Sequence, residues 1–231
     1  MQIAAESSFH ARARDFTIAS LATAYPSSEV ADIFEALRAE YTPHPAFGPL
    51  LDRLSGGVGA LQGDYLARFD RGEQRVALYE TEYGRMRGLS KGKDLADIVG
   101  FYRAFGFDLE EGADVEMPDH VAVEFEFYAI LLYKSDLLTA GGDLQGQEIV
   151  ASARRKFLID HLGSFVAAIA RRPGVANDAV YGPLLAWCAD LVAEECRALD
   201  VTPAPLDFFA NDDASEPANC GGCVAIPGLP T

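Results

Sequence analysis

The sequence predicts an all-α protein. Apolar residues recur at steps of three and four through most of the chain, whereas the strict alternation that marks half-buried strands is almost absent. The clearest segment begins at Pro118, where Val121, Phe125, Tyr128 and Leu132 form one apolar stripe. With 231 residues, the chain is long enough for one large domain with a sizeable core.

Seven further helical segments are predicted along the chain. Helical periodicity covers residues 9–24, 29–41, 60–71, 94–105, 144–171 and 177–199, and a short helix ends at Leu54. Glycine at 106 and at 141–142 and proline at 173 predict helix ends. Residues 76–80 fit either a short strand or a linker. From Pro203 onward Pro, Gly, Asp, Asn and Ala dominate, which predicts a helical domain over 1–202 and a flexible tail over 203–231.

The start of the Pro118 helix carries a cluster of polar residues. Proline suits a first helical turn, and a carboxylate such as that of Asp119 can accept the backbone N–H groups left free there. His120 and Glu124 are four residues apart and are predicted to stack on one face of this helix. Periodicity alone leaves two interpretations open: a structural hydrogen bond between them, or part of a site.

The net charge of −16 restricts the classes of partner. An acidic surface repels nucleic acid and anionic membranes and favours basic partners such as arginine-rich peptides, although acidity also serves solubility alone. Residues 1–24 lack the apolar core of a secretory signal, and no run approaches the ~18 apolar residues of a membrane span. The four cysteines all lie in the last quarter, which is not typical of a disulfide framework. These features predict a cytoplasmic protein without stable membrane insertion.

Searches for catalytic motifs favour a protein that is not an enzyme. The chain has no Gly-x-Ser-x-Gly nucleophile motif and no His-Glu-x-x-His zinc motif. None of its four histidines follows a glutamate at the Glu-x-x-His spacing that di-iron bundles require. The glycines at 56–59 lack both the spacing and the preceding strand of a dinucleotide loop.

One pair of cysteines has the spacing of a metal ligand pair. Cys220 and Cys223 form a Cys-x-x-Cys motif, but a zinc or iron–sulfur site generally needs four ligands, which Cys188 and Cys196 would have to complete. The alternative function is therefore a small helical metal- or redox-active protein that uses this motif. The competing interpretation is a tail with reduced thiols.

Three parts of the sequence resemble the TorD/DmsD/NarJ family of redox-enzyme maturation chaperones. Residues 64–69 are similar to the family's acid-Tyr-x-x-Leu-Phe element, with Arg68 in place of leucine, and residues 78–83 are similar to its acid-x-x-Tyr element. Most specific is Tyr102 to Gly106, followed by an acidic loop, Pro118-Asp119-His120 and Glu124 to Phe127. The resemblance covers about residues 10–200 and not the tail.

The resemblance implies an all-helical bundle that acts as a cytoplasmic chaperone for molybdenum-containing oxidoreductases. Such proteins bind the catalytic subunit, often through its twin-arginine leader, until the molybdopterin cofactor is inserted. The chaperone itself needs no cofactor and contacts this one at most transiently. Whether it is a monomer or a dimer stays open. The residues that match the family's binding positions are Asp119, His120, Glu124, Tyr65, Phe69, Tyr83, Tyr102 and Pro118.

Leader binding has a simple physical requirement. A leader presents two arginines beside an apolar segment, so its receptor needs carboxylates and a hydrophobic groove. We expect Asp119, Glu124 and the acidic loop to supply the carboxylates. The candidates for the groove are Phe125, Phe127, Tyr128 and Leu131.

Overall fold

The protein is all-α, as the sequence predicts. The computed structural model describes residues 8–40, 44–71, 75–84, 91–108 and 116–206. Within these ranges the only β pairing is a single antiparallel bridge between Tyr79 and His120. The helices are α1 (Ser8–Thr23), α2 (Ser28–Glu40), α3 (Gly48–Ser55), α4 (Val58–Tyr65), α5 (Lys91–Ala104), α6 (Val121–Gly141), α7 (Leu144–Phe157), α8 (Gly163–Ala170), α9 (Pro173–Ala176) and α10 (Tyr181–Ala198).

Helix α6 forms the centre of the core. It packs along α1 on one side and against α7 on the other, while α8 and α10 pack together. Helices surrounded by protein are apolar on most faces, and α6 fits this rule. Its buried side chains are Val121, Ala122, Val123, Glu124, Phe125, Phe127, Tyr128, Ala129, Leu131, Leu132 and Ser135. The Phe16 ring of α1 lies 4.6 Å from the Tyr128 ring, measured between centroids.

Several helix ends differ from the predicted ones. The predicted helix over 144–171 contains a π-helical turn, Leu158–Leu162, that separates α7 from α8. Pro173 begins the short helix α9 rather than only ending its predecessor, since proline suits a first helical turn. Helix α10 starts four residues later than predicted because Asp178 accepts the backbone N–H groups of Val180 and Tyr181. A second π-helical turn, Leu66–Asp70, extends α4.

A buried ionic network joins four helices. Glu195 on α10 is 1% exposed and accepts hydrogen bonds from Arg12 of α1, Arg154 of α7 (2.6 Å) and the Tyr128 hydroxyl of α6 (2.8 Å). Both guanidinium groups also lie over the Phe9 ring, at 4.9 and 5.2 Å from its centroid. The carboxylate is therefore fully paired, as a buried charge must be.

The last described residues pack against the helical body. Val201 and Leu206 lie on the core, and a Cβ at Gly163 would meet the Cγ of Pro203 at 2.4 Å. Residues 207–231, with Cys220 and Cys223, lie outside the described residues. The predicted division into a domain and a flexible tail therefore stays a prediction. No helix in the described part of the chain is long and apolar enough to cross a membrane.

Candidate functional site

The start of α6 differs from the sequence prediction in one informative way. The helix begins at Val121, and His120, rather than Asp119, occupies the capping position. The His120 Nδ1 atom accepts the backbone N–H of Ala122 at 3.2 Å. Histidine thus fills the role for which the sequence favoured a carboxylate.

Asp119 instead holds a distant turn. Its Oδ2 atom accepts hydrogen bonds from the backbone N–H of Thr81 at 3.2 Å and from the Thr81 hydroxyl at 2.6 Å. The backbone adds two bonds: Glu80 donates to the Asp119 carbonyl, and Val121 donates to the Leu78 carbonyl, both at 2.9 Å. Asp119 is only 1% exposed. We call residues 79–83, which include the 3₁₀ turn Glu80–Glu82, the clamped turn.

A cleft of about 300 Å³ lies beside this junction. Three residues that the resemblance selected, His120, Tyr65 and Phe69, line it. Its walls combine aromatic rings with charged groups. The lining residues are Tyr25, Tyr65, Leu66, Phe69, Asp70, Arg75, Leu78, Tyr79, Glu116 and His120.

The charged groups of the cleft favour a cation. Glu116 and Asp70 place two carboxyl groups in it against the single guanidinium of Arg75. The Tyr79 hydroxyl donates to Glu116 Oε2 at 3.1 Å, and burial, together with the charge of Glu116, raises the pKa of Tyr79 to about 12. Burial lowers the pKa of His120, although the charges of Glu116 and Asp119 oppose this shift. A guanidinium or ammonium group could meet both a carboxylate and aromatic faces here.

Other predicted binding residues lie behind the cleft and support its frame. The Tyr102 hydroxyl donates to the Pro118 carbonyl at 2.7 Å, and the Tyr83 hydroxyl donates to the Ala77 carbonyl at 2.8 Å. Glu124 is fully buried, and neither of its oxygens bonds to His120. The hydrogen bond that the four-residue spacing suggested between Glu124 and His120 is therefore absent.

The prediction that α6 provides an exposed hydrophobic groove is wrong. Its four candidates have no exposed area, because α1, α7 and the π-helical turn Leu158–Leu162 pack against α6. These candidates are Phe125, Phe127, Tyr128 and Leu131. The cleft offers exposed aromatic surface instead, since Tyr25 is 40% exposed and Tyr79 is partly exposed. Tyr25 and Tyr79 were missed as site residues because they come from separate segments that only the fold brings together. Glu116 is the last residue of the acidic loop, residues 108–116, which the sequence favoured as a source of carboxylates.

The cysteines of α10 lie in the protein core. Cys188 and Cys196 are buried and reduced. Burial raises the pKa of both thiols, that of Cys196 to about 11 with a further contribution from the charge of Glu195. Metals bind the thiolate, so neither is suited to complete a site with Cys220 and Cys223. The described ranges contain no group of three or more His, Cys, Asp or Glu residues that could hold a metal ion.

Comparison with known proteins identifies the family. The sequence model of the nitrate reductase delta subunit family matches residues 24–171. The chain belongs to this family. The match includes the cleft and the clamped turn, and it confirms the resemblance to the TorD/DmsD/NarJ chaperones.

Two curated relatives of this delta subunit family member are about one third identical to it within the matched regions. One is the selenate reductase assembly chaperone protein of Thauera selenatis, 34% identical over 129 residues, 54% of this chain and 64% of the relative. Another is the dimethyl sulfide dehydrogenase assembly chaperone protein of Rhodovulum sulfidophilum, 32% identical over 123 residues, 49% of this chain and 48% of the relative. The matched region thus spans between about half and two thirds of these relatives.

Proposed function

We propose that this protein is an assembly chaperone, not an enzyme, that binds the catalytic subunit of a molybdenum oxidoreductase in the cytoplasm before export or assembly. Family membership and two relatives named as assembly chaperones support this role. The chaperone would need no resident cofactor and would contact the molybdopterin cofactor only while the client receives it. The metal- or redox-active alternative has no support in the described residues, where no metal-ligand cluster occurs.

The cleft is the observation that carries this proposal. A client segment that inserts an arginine would place its guanidinium near Glu116 and its apolar neighbours against the rings of Tyr65 and Phe69. A twin-arginine leader has this chemistry. Asp119 and Glu124 would contribute indirectly, because both are buried and cannot touch a partner in this conformation.

Replacing Glu116 by glutamine tests the proposed contact. The amide oxygen of the new side chain can still accept the Tyr79 hydroxyl, so the cleft keeps its shape and loses only its charge. A charge-assisted hydrogen bond contributes ~1.5–3 kcal/mol, so we expect affinity for the leader peptide to fall about tenfold to a hundredfold. Isothermal calorimetry with a twin-arginine leader peptide of a molybdenum oxidoreductase measures the effect.

The matched control is Glu148→Gln, which makes the same change of charge at an exposed position of α7. It should leave the affinity unchanged. A leader with both arginines replaced by glutamine should bind wild type and Glu116→Gln equally. If Glu116→Gln binds the arginine leader as wild type does, the cleft is not the leader site. If wild type binds neither leader nor full-length catalytic subunit, the proposed function itself is wrong.

A further inference from the structure

A buried cluster of ionisable side chains holds the clamped turn to the rest of the protein. The carboxylate of Glu80, 12% exposed, lies 3.0 and 3.3 Å from the Nδ1 atom of His161. The other ring nitrogen of His161 lies 3.3 Å from Asp97 Oδ2. Glu124 of α6, with no exposed area, lies next to Glu80. The cluster thus joins the clamped turn to α5, α6 and the π-helical turn Leu158–Leu162.

His161 is the cation of this cluster. Burial alone would lower its pKa, but the hydrogen bonds and charges of Glu80 and Asp97 outweigh burial and raise the pKa overall. With a carboxylate at each ring nitrogen, both nitrogens act as donors, which only the imidazolium form allows. The positive charge of His161 therefore balances the negative charge of Glu80, and Glu124, the second buried carboxyl group, is left without a counter-charge.

The second buried carboxyl group requires a proton. Neither oxygen of Glu124 receives a hydrogen bond from any N–H or O–H donor in the described structure. Two ionised carboxylates are both acceptors, so Glu80 and Glu124 can bond only when one of them carries a proton. Burial, followed by the charges of Glu80 and Asp119, raises the pKa of Glu124 well above its ordinary value. Glu124 is the member that keeps the proton, because it has no cation beside it.

Losing this proton would leave Glu80 and Glu124 both ionised, with the single positive charge of His161 to balance them. Glu124 cannot move to solvent, since it lies on a buried face near the start of a 21-residue helix. Glu80 can, because it is already partly exposed and its turn is a single 3₁₀ turn followed by Gly84, whose φ of 90° marks a turn position. Movement of the turn would therefore relieve the repulsion between the carboxylates of Glu80 and Glu124.

We propose that residues 79–83 form a proton-dependent latch, closed on α6 while Glu80 and Glu124 share a proton and released when that proton is lost. Release would withdraw Tyr79 from the cleft wall and break its bond to Glu116, so the same event would reshape the cleft. The latch does not depend on the proposed function. The titratable groups that face the shared pair are His161, Asp94, Asp97, Asp119 and Tyr102.

The pH dependence of the latch follows from the raised pKa of Glu124. The folded protein keeps a proton on Glu124 that the unfolded chain releases above its ordinary pKa. The latch is therefore fully closed at low pH and weakens as the pH rises towards the raised pKa of Glu124. When one proton is released, the open population grows about tenfold per pH unit over this range.

Hydrogen exchange of the full chain tests the latch directly. Two amides of the clamped turn bond to Asp119 and are protected by these bonds only when the turn is closed: that of Glu80, which donates to the Asp119 carbonyl, and that of Thr81, which donates to the Asp119 carboxylate. After correction for intrinsic exchange rates, wild type should lose protection in this segment about tenfold per pH unit, while the amides of α10 keep theirs. Glu124→Gln cannot release the proton and should show no excess loss.

Glu148→Gln again serves as the exposed control and should behave as wild type. If Glu124→Gln does not fold, infrared difference spectra of wild type decide the matter. The carbonyl stretch of a protonated carboxyl should then disappear at the same pH at which the clamped turn loses protection. Unchanged protection of the turn in wild type, or loss of protection with no accompanying carboxyl signal, would overturn the proposal.

Discussion

Glu195→Gln should lower the free energy of unfolding by about 3–5 kcal/mol, the cost typical of breaking a buried ion pair from one side. The carboxylate pairs with Arg154, whose side chain is 4% exposed, and with Arg12. Glutamine fits the space but leaves the Arg154 guanidinium buried without a counter-charge. Chemical denaturation followed by circular dichroism measures the loss.

The neighbouring residue provides the matched control for this stability measurement. The Glu194 side chain is 68% exposed and pairs with the exposed Arg197 on the surface of α10. Glu194→Gln should change stability by less than about 1 kcal/mol, because exposed ion pairs contribute little. A loss of similar size in both variants would show that the buried network does not stabilise the four-helix junction.

Asp119→Ala should lower the free energy of unfolding by about 3 kcal/mol, and leader affinity should fall with it. The sequence alone assigned Asp119 to leader binding, and the structure adds a role in stability, because Asp119 is only 1% exposed. The substitution leaves the buried backbone N–H of Thr81 without an acceptor and removes the bond of the Thr81 hydroxyl. Denaturation and calorimetry on the same samples measure both effects.

Thr81→Val separates the two bonds that Asp119 accepts. It removes the hydroxyl but keeps the backbone N–H bond, so we expect a smaller loss of about 1–2 kcal/mol. The two residues are direct partners, and the double variant should therefore lose less than the sum of the single losses. Strict additivity would mean that Asp119 acts on stability through contacts other than Thr81.

The helical fold could be predicted because periodicity reports burial directly. Helix α6 is the clearest case, since its predicted stripe of Val121, Phe125 and Tyr128 is fully buried, although the core also encloses other faces of this helix. Local signals failed where a distant residue decided the outcome. Asp119 looked like a helix cap because nothing in the sequence shows that Thr81, 38 residues earlier, takes its carboxylate.

The candidate site could be predicted only in part for the same reason. His120, Tyr65 and Phe69 were identified through their resemblance to family positions, and all three line the cleft. The sequence indicated Glu116 only as part of the acidic loop, residues 108–116, and it did not indicate Tyr79 as a partner of Glu116. Their pairing spans 37 residues and depends on the bridge between Tyr79 and His120. The π-helical turns likewise have no periodic signature.

The cap at the start of α6 also fixes the tautomer of His120. Its Nδ1 atom can accept the Ala122 N–H only while it carries no proton, so the neutral ring carries its hydrogen on Nε2, the atom that lies 3.4 Å from the Tyr65 hydroxyl. Protonating the ring would cost the helix its cap. The Nε2–H group therefore donates to the Tyr65 hydroxyl, so the cap at the start of α6 fixes the direction of a hydrogen bond in the wall of the cleft.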